Sequence, residues 1–77
     1  MEETLKAFYD READILRFDR VKPYKDQETE ELGDDIIVRM NPNTNEIENI
    51  EILFFSTRLL RSDVFELPVF ANFKKAS

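Results

Sequence analysis

A chain of 77 residues is one domain, and at that size folding hides only about 60% of the surface that the unfolded chain exposes. A hydrophobic fraction of 42% with seven Phe excludes a disordered composition, and the absence of Cys excludes a disulfide scaffold and favours a reducing compartment. The net charge of −6 opposes nucleic acid and anionic lipid, whose phosphates require clustered Lys and Arg.

Thr4–Tyr9 alternates Leu5, Ala7 and Tyr9 with Thr4, Lys6 and Phe8, a period of two that predicts a strand. Asp10 then opens a turn through Arg11, Glu12, Ala13 and Asp14, because its carboxylate can accept backbone hydrogen bonds two residues on. Ile15–Asp19, with Leu16 and Phe18 on one face, returns as a second strand and completes a hairpin. Arg20–Asp26 is charged, holds Pro23 and reads as a loop. Gln27–Leu32 is acidic with weak strand character, as suits a sheet edge where charge discourages edge-to-edge pairing. Gly33, the only Gly of the chain, precedes Asp34 in a turn and supplies a positive φ.

Asp35–Met40 is a strand, with Ile36, Val38 and Met40 alternating with Ile37 and Arg39, and Asn41–Asn45 is a dense turn signal. Glu46–Phe55 follows as a strand with Ile50, Ile52 and Phe54 on one face and Glu51, Leu53 and Phe55 on the other. Apolar residues on both faces place it centrally or under cover on two sides. Ile47 is out of phase with Ile50, and a bulge at Asn49 repairs the register, Asn being tolerant of the left-handed region. Ser56 is placed to cap a short helix over Thr57–Arg61. Beyond it, Phe65, Leu67, Val69, Ala71 and Phe73 alternate as in a strand, while Phe65, Val69 and Phe73 also have helical spacing, which Pro68 opposes in a helix interior. We read this segment as extended. The expected fold is α+β and mostly β: one domain over residues 1–77, an antiparallel sheet of about four strands, a short helix after Ser56, and an apolar C-terminal segment.

The hairpin Tyr9-Asp10-Arg11-Glu12-Ala13-Asp14-Ile15-Leu16 resembles the opening signature of the family called domain of unknown function 2283. Gly33-Asp34-Asp35-Ile36-Ile37-Val38, the Asn-rich turn, Ile50-Glu51-Ile52-Leu53 and Ser56 are similar to its second half. The resemblance covers residues 5–60 and makes Asp10, Ala13, Asp14, Glu51 and Ser56 the family-motif residues. Where the family pattern carries Gly in the turn and before Ile-Glu-Ile, this chain has Asn45 and Asn49, both tolerant of a positive φ. Where it carries a small residue before the Ser, this chain has Phe55. The resemblance implies a small β-rich prokaryotic protein with no assigned activity, similar in gene context to antitoxins paired with ribonuclease-like toxins.

Chemistry finds little to work with. His and Cys are both absent, and Ser56, Ser62 and Ser77 lie in no nucleophile elbow. The pairs Asp10/Asp14, Glu30/Glu31 and Asp34/Asp35 fall on turns and a charged edge. Asn41–Asn45 begins like a calcium loop but has Glu46 at the sixth position and Ile52 at the twelfth, where Gly and Glu are required. Glu51 either faces solvent or is covered and needs a donor, Arg17 or Arg39. We therefore expect no catalysis, cofactor or metal. The acidic start is followed by no apolar run, unlike a signal peptide, and no stretch reaches the roughly 18 apolar residues of a membrane span, so the expected location is the cytoplasm.

Val64–Phe73 holds more apolar residues than one short element can bury on one face. Either it folds back on its own sheet, or Phe65, Leu67, Phe70 and Phe73 dock another chain. The expected function is a protein-interaction module, antitoxin-like in form, with an acidic body suited to a basic protein partner. A homodimer through the same tail and a carboxylate hydrolase are the alternatives.

Overall fold

Alternating segments separated by a few turn-forming residues fold back as hairpins. The computed structural model, which describes residues 4–61 and 66–76, joins its strands in this way except at one crossing. β1 (Lys6–Asp10) pairs with β2 (Ile15–Asp19), β3 (Glu28–Gly33) with β4 (Ile36–Met40), and β4 with β5 (Ile47–Leu53), all antiparallel. β2 also pairs with β5, so the sheet order is β1-β2-β5-β4-β3 and β5 is central. The described residues thus hold five strands where about four were expected, because the acidic Glu28–Gly33 segment pairs with β4 at the sheet edge.

Turn chemistry sets the hairpins. Asp10 Oδ1 accepts from Glu12 N–H and Ala13 N–H, both at 3.1 Å. Asn41 Oδ1 accepts from Asn43 N–H at 2.8 Å and Thr44 N–H at 3.2 Å, and Asn45 leaves the turn at φ 62°. Gly33 has φ 91°, as its turn position requires, and the two residues between β3 and β4, Asp34 and Asp35, have φ 50° and 63°. Positive φ at both central residues is the type I′ geometry that matches strand twist. The bulge expected at Asn49 is present as a register shift, with Arg39 opposite Asn49 and Met40 opposite Ile47, which leaves Glu48 as the extra residue. Asn49 itself is not left-handed. It is 1% exposed, and hydrogen bonds rather than backbone tolerance explain an Asn there.

Register assigns the two faces, since directly opposed residues share a side. One face carries Ala7, Tyr9, Leu16, Phe18, Ile50, Ile52, Ile36 and Val38. Its centre is the core: Ile36, Val38 and Ile52 are buried. The other face carries Phe8, Arg17, Glu51 and Ile37 in one row and Lys6, Asp19, Asn49 and Arg39 in the next.

After β5, Phe54 (φ 52°) reverses the chain into α1 (Phe55–Arg61). The short helix expected after Ser56 therefore starts slightly earlier: Arg58 N–H donates to Phe54 O, and Ser56 lies inside the first turn. Phe55 packs its ring edgewise on Tyr9, with centroids 5.9 Å apart, which seats α1 on the apolar face. The residue α1 buries is Arg58, whose Nη1 donates to Asp34 Oδ2 at 2.9 Å and whose Nη2 donates to Asp34 O. Leu59 and Leu60 are exposed.

Residues 66–76 belong to no strand or helix, which corrects the strand suggested by their alternation. The reason is Pro68: Val69 N–H donates to Leu67 O at 2.7 Å across it, a γ-turn that breaks the extended path. Val64 and Phe65 lie outside the described residues. Among those that are described, no helix is long and apolar enough to cross a membrane.

The Arg58–Asp34 pair yields a test. Asp34→Asn keeps a residue suited to φ 50° but removes one charged partner of a buried guanidinium. Because Asp34 is itself largely exposed and screened, the expected loss is modest, about 1–2 kcal/mol in urea unfolding. Asp35→Asn, in the same turn without the Arg contact, leaves stability within about 0.5 kcal/mol.

Candidate functional site

Two of the motif residues, Asp14 and Ser56, meet at the start of α1. A helix leaves its first N–H groups without partners inside the helix, and here the β1–β2 turn supplies them. Phe55 N–H donates to Asp14 O at 3.1 Å and Ser56 N–H to Asp14 Oδ1 at 3.0 Å. Ser56 Oγ donates to Asp14 Oδ2 at 2.7 Å, and the Tyr9 hydroxyl donates to Asp14 Oδ1 at 2.6 Å. Ser56 is thus not the cap but is itself capped, its hydroxyl being drawn to a full carboxylate. Asp14 sits at φ 58°, which aims both its carbonyl and its carboxylate at the helix. Asp10 shapes the turn that carries it, and Ala13 is exposed in that turn.

The electrostatics follow from these bonds. The Tyr9 hydroxyl first, then the Ser56 hydroxyl and N–H, hold the Asp14 carboxyl below its ordinary value. The same bond raises the Tyr9 phenol. A carboxylate stabilised in this way is a poor proton acceptor, so what the arrangement does chemically is lock a helix to a turn.

On the opposite face Glu51 is half-buried, with the Arg39 guanidinium 3.4 Å from both of its oxygens and Arg17 directly across in β2. Of the two settings read from the sequence, the covered one with a donor is the one present. Arg17 in turn pairs with Asp19 at 3.2 Å and lies 5.6 Å over the Phe8 ring. Asn49 holds the β2–β3 connection: its Nδ2 donates to Asp19 Oδ1 and Val21 O, and its Oδ1 accepts from Gln27 Nε2 at 2.6 Å. Beside it Tyr24 donates to Glu48 Oε1 at 2.6 Å, which pushes the Tyr24 phenol up to about 12 and the Glu48 carboxyl down.

The third feature is a groove between the C-terminal segment and the apolar face. Leu5, Phe18, Ile47 and Ile50 line its sheet side, and Leu67, Val69, Phe70 and Phe73 its tail side. Leu67 is half-buried, whereas Phe70 is fully exposed and Phe73 is 78% exposed. Phe65, the fourth residue proposed for docking, lies outside the described residues.

Sequence reading missed Tyr9 as the partner of Asp14, Arg58 as the clamp on Asp34, and the set of Tyr24, Gln27, Glu48 and Asn49. Arg58–Asp34, Tyr24–Glu48 and Gln27–Asn49 join residues 22 to 24 positions apart, whereas Tyr9 and Asp14 are five apart across one turn, and no local pattern marks any of them. The one available signal was Asn49, a polar residue inside an otherwise apolar strand.

The pH dependence of the clasp can be predicted in sign. A carboxyl lowered on folding stabilises the fold above its unfolded value of about 3.9 and loses that contribution as pH falls through its folded value. A phenol raised on folding contributes below about pH 10 and is lost as pH rises through its folded value. Asp14→Asn therefore flattens the acid limb of the stability profile below about pH 4. In a Tyr24→Phe background it also returns the ultraviolet titration of Tyr9 toward about 10.

Comparison with known proteins adds one relationship. No curated protein and no solved structure matches the chain. A family model does match over residues 6–56, more than half of the chain, from β1 to the second residue of α1. That span includes both partners of the Asp14–Ser56 clasp. The chain belongs to the family described as Protein of unknown function (DUF2283).

Proposed function

We propose that this protein is a small interaction module that binds a partner protein through its C-terminal segment and the apolar groove beside it. The observation that carries this reading is the exposure of Phe70 and Phe73 in a tail that belongs to no strand or helix. A Phe that contributes nothing to its own core costs solubility, and burying one fully gains roughly 1.5–3 kcal/mol. The apolar face beneath is only partly covered, with Phe18, Ile47 and Ile50 half-buried along the groove. Leu60 on α1, 88% exposed, adds to the same excess.

Charge narrows the partner. A body at −6, with Glu28, Glu30 and Glu31 exposed on β3, attracts a basic surface and repels an acidic one. An antitoxin-like role, with a basic ribonuclease-like protein held by the tail, is the specific form of the proposal.

The test uses the intact chain as bait for the product of the adjacent gene. The double variant Phe70→Ser/Phe73→Ser is expected to weaken a captured partner by about a hundredfold or more, from two apolar anchors lost, with an unchanged circular dichroism spectrum. Binding that is indifferent to both substitutions rules the tail out as the docking element.

A further inference from the structure

The two edges of the sheet are chemically unlike. β3 presents Glu28, Thr29, Glu30 and Glu31, and its register slips between Glu31 and Gly33. Like charge and a bulge are the devices by which sheets block pairing with other chains. β1 presents Lys6-Ala7-Phe8-Tyr9-Asp10, with one cation and one anion rather than a run of like charge and with no bulge, and among the described residues it pairs with β2 alone. Its aromatic side chains are partly in solvent, Phe8 at 54% and Tyr9 at 39% exposed.

β1 is also complementary to itself. Laid antiparallel on a second copy about a two-fold axis at Phe8, Lys6 stands opposite Asp10 of that copy, Ala7 opposite Tyr9, and Phe8 opposite Phe8. Each end then has an opposite-charge pair, the flanks match small with large, and the centre is an aromatic pair. All are favourable cross-strand combinations, and no like charges meet. Sliding the register by two residues removes both ion pairs. Sliding it by one sets the apolar face of one copy level with the polar face of the other. In the centred register Ala7 and Tyr9, both on the apolar face, adjoin their counterparts, so that face runs unbroken across both copies. Arg17, 5.6 Å over Phe8, adds a cation above each ring of the central pair.

We propose that β1 is a homodimerisation edge, joining two five-stranded sheets into one ten-stranded sheet by antiparallel β1–β1 pairing centred on Phe8. The occupant is a second copy of this chain, identified by the reciprocal Lys6–Asp10 charges. The contact is isologous and closes at two copies, because the acidic β3 edge offers no site for further growth. This surface is separate from the tail, and neither reading requires the other.

Sedimentation equilibrium of the full chain tests it, with a concentration-dependent dimer expected. Lys6→Glu places like charges opposite at both ends, and Phe8→Glu does so at the axis. Each is expected to raise the dissociation constant by about a hundredfold, while Phe70→Ser/Phe73→Ser leaves the dimer intact. Since the chain has no Cys, Phe8→Cys supplies a readout that does not depend on those variants. Opposed Cα atoms about 4.5–5.5 Å apart lie within disulfide reach, so oxidised glutathione is expected to link this variant into dimers and to leave Glu30→Cys unlinked. A wild-type chain that stays monomeric at all concentrations overturns the proposal. So does a dimer that survives Phe8→Glu, or equal cross-linking at positions 8 and 30.

Discussion

The structure depends on the docking of a seven-residue helix by two turn carboxylates. A helix as short as α1 does not persist alone in water, because nucleation costs more than so few hydrogen bonds return. It also lacks the usual remedy of an apolar stripe pressed into the core, since the side chain it buries is Arg58. What holds it is polar and comes from both sides. Asp14 accepts from its first N–H groups, and Asp34 receives the Arg58 guanidinium. Both turns lie at the end of the sheet where β5 leaves it, so the helix is gripped where the chain reverses.

Helix docking by carboxylates rather than by grease has a consequence for the surface. Leu59 and Leu60 are exposed, and among the described residues the apolar face meets Phe55 on Tyr9 and is bordered by the tail, beside which Phe18, Ile47 and Ile50 stay half-buried. Among the described apolar residues, full burial is confined to Ile36, Val38 and Ile52. The opposite face is organised differently, by ion pairs along Arg17, Asp19, Arg39 and Glu51 and by the Asn49 bonds to the β2–β3 connection. That face is knit mainly by polar contacts, and the apolar one keeps area to bury along the groove. The functional reading rests on that apolar area, and the dimer on the difference between the two sheet edges.

Much of the fold was legible because it is local. The β1–β2 hairpin follows from alternation and from an Asp that can bond its own turn, and Gly33 and Asn45 stand where left-handed backbone is needed. The central position of β5 was readable from apolar residues on both of its faces. The acidic Gln27–Leu32 segment, read as a weak strand suited to a sheet edge, is the edge strand β3, held there by pairing with β4. One departure has a physical cause. The tail alternates like a strand, yet its described residues have no strand partner, and the γ-turn at Pro68 breaks it.

The candidate site divides along the same line. Sequence alone determined the family, the mostly β architecture, the acidic charge and the presence of an apolar tail, because composition and period are properties of neighbouring residues. Tertiary structure alone decided that Asp14 meets Ser56, that Arg58 meets Asp34, and that Asn49 rather than a hydrophobe fills a buried place. Those partners lie between 22 and 42 residues apart. Only the folded path of the chain, set by which strands lie side by side, brings such groups within hydrogen-bond distance.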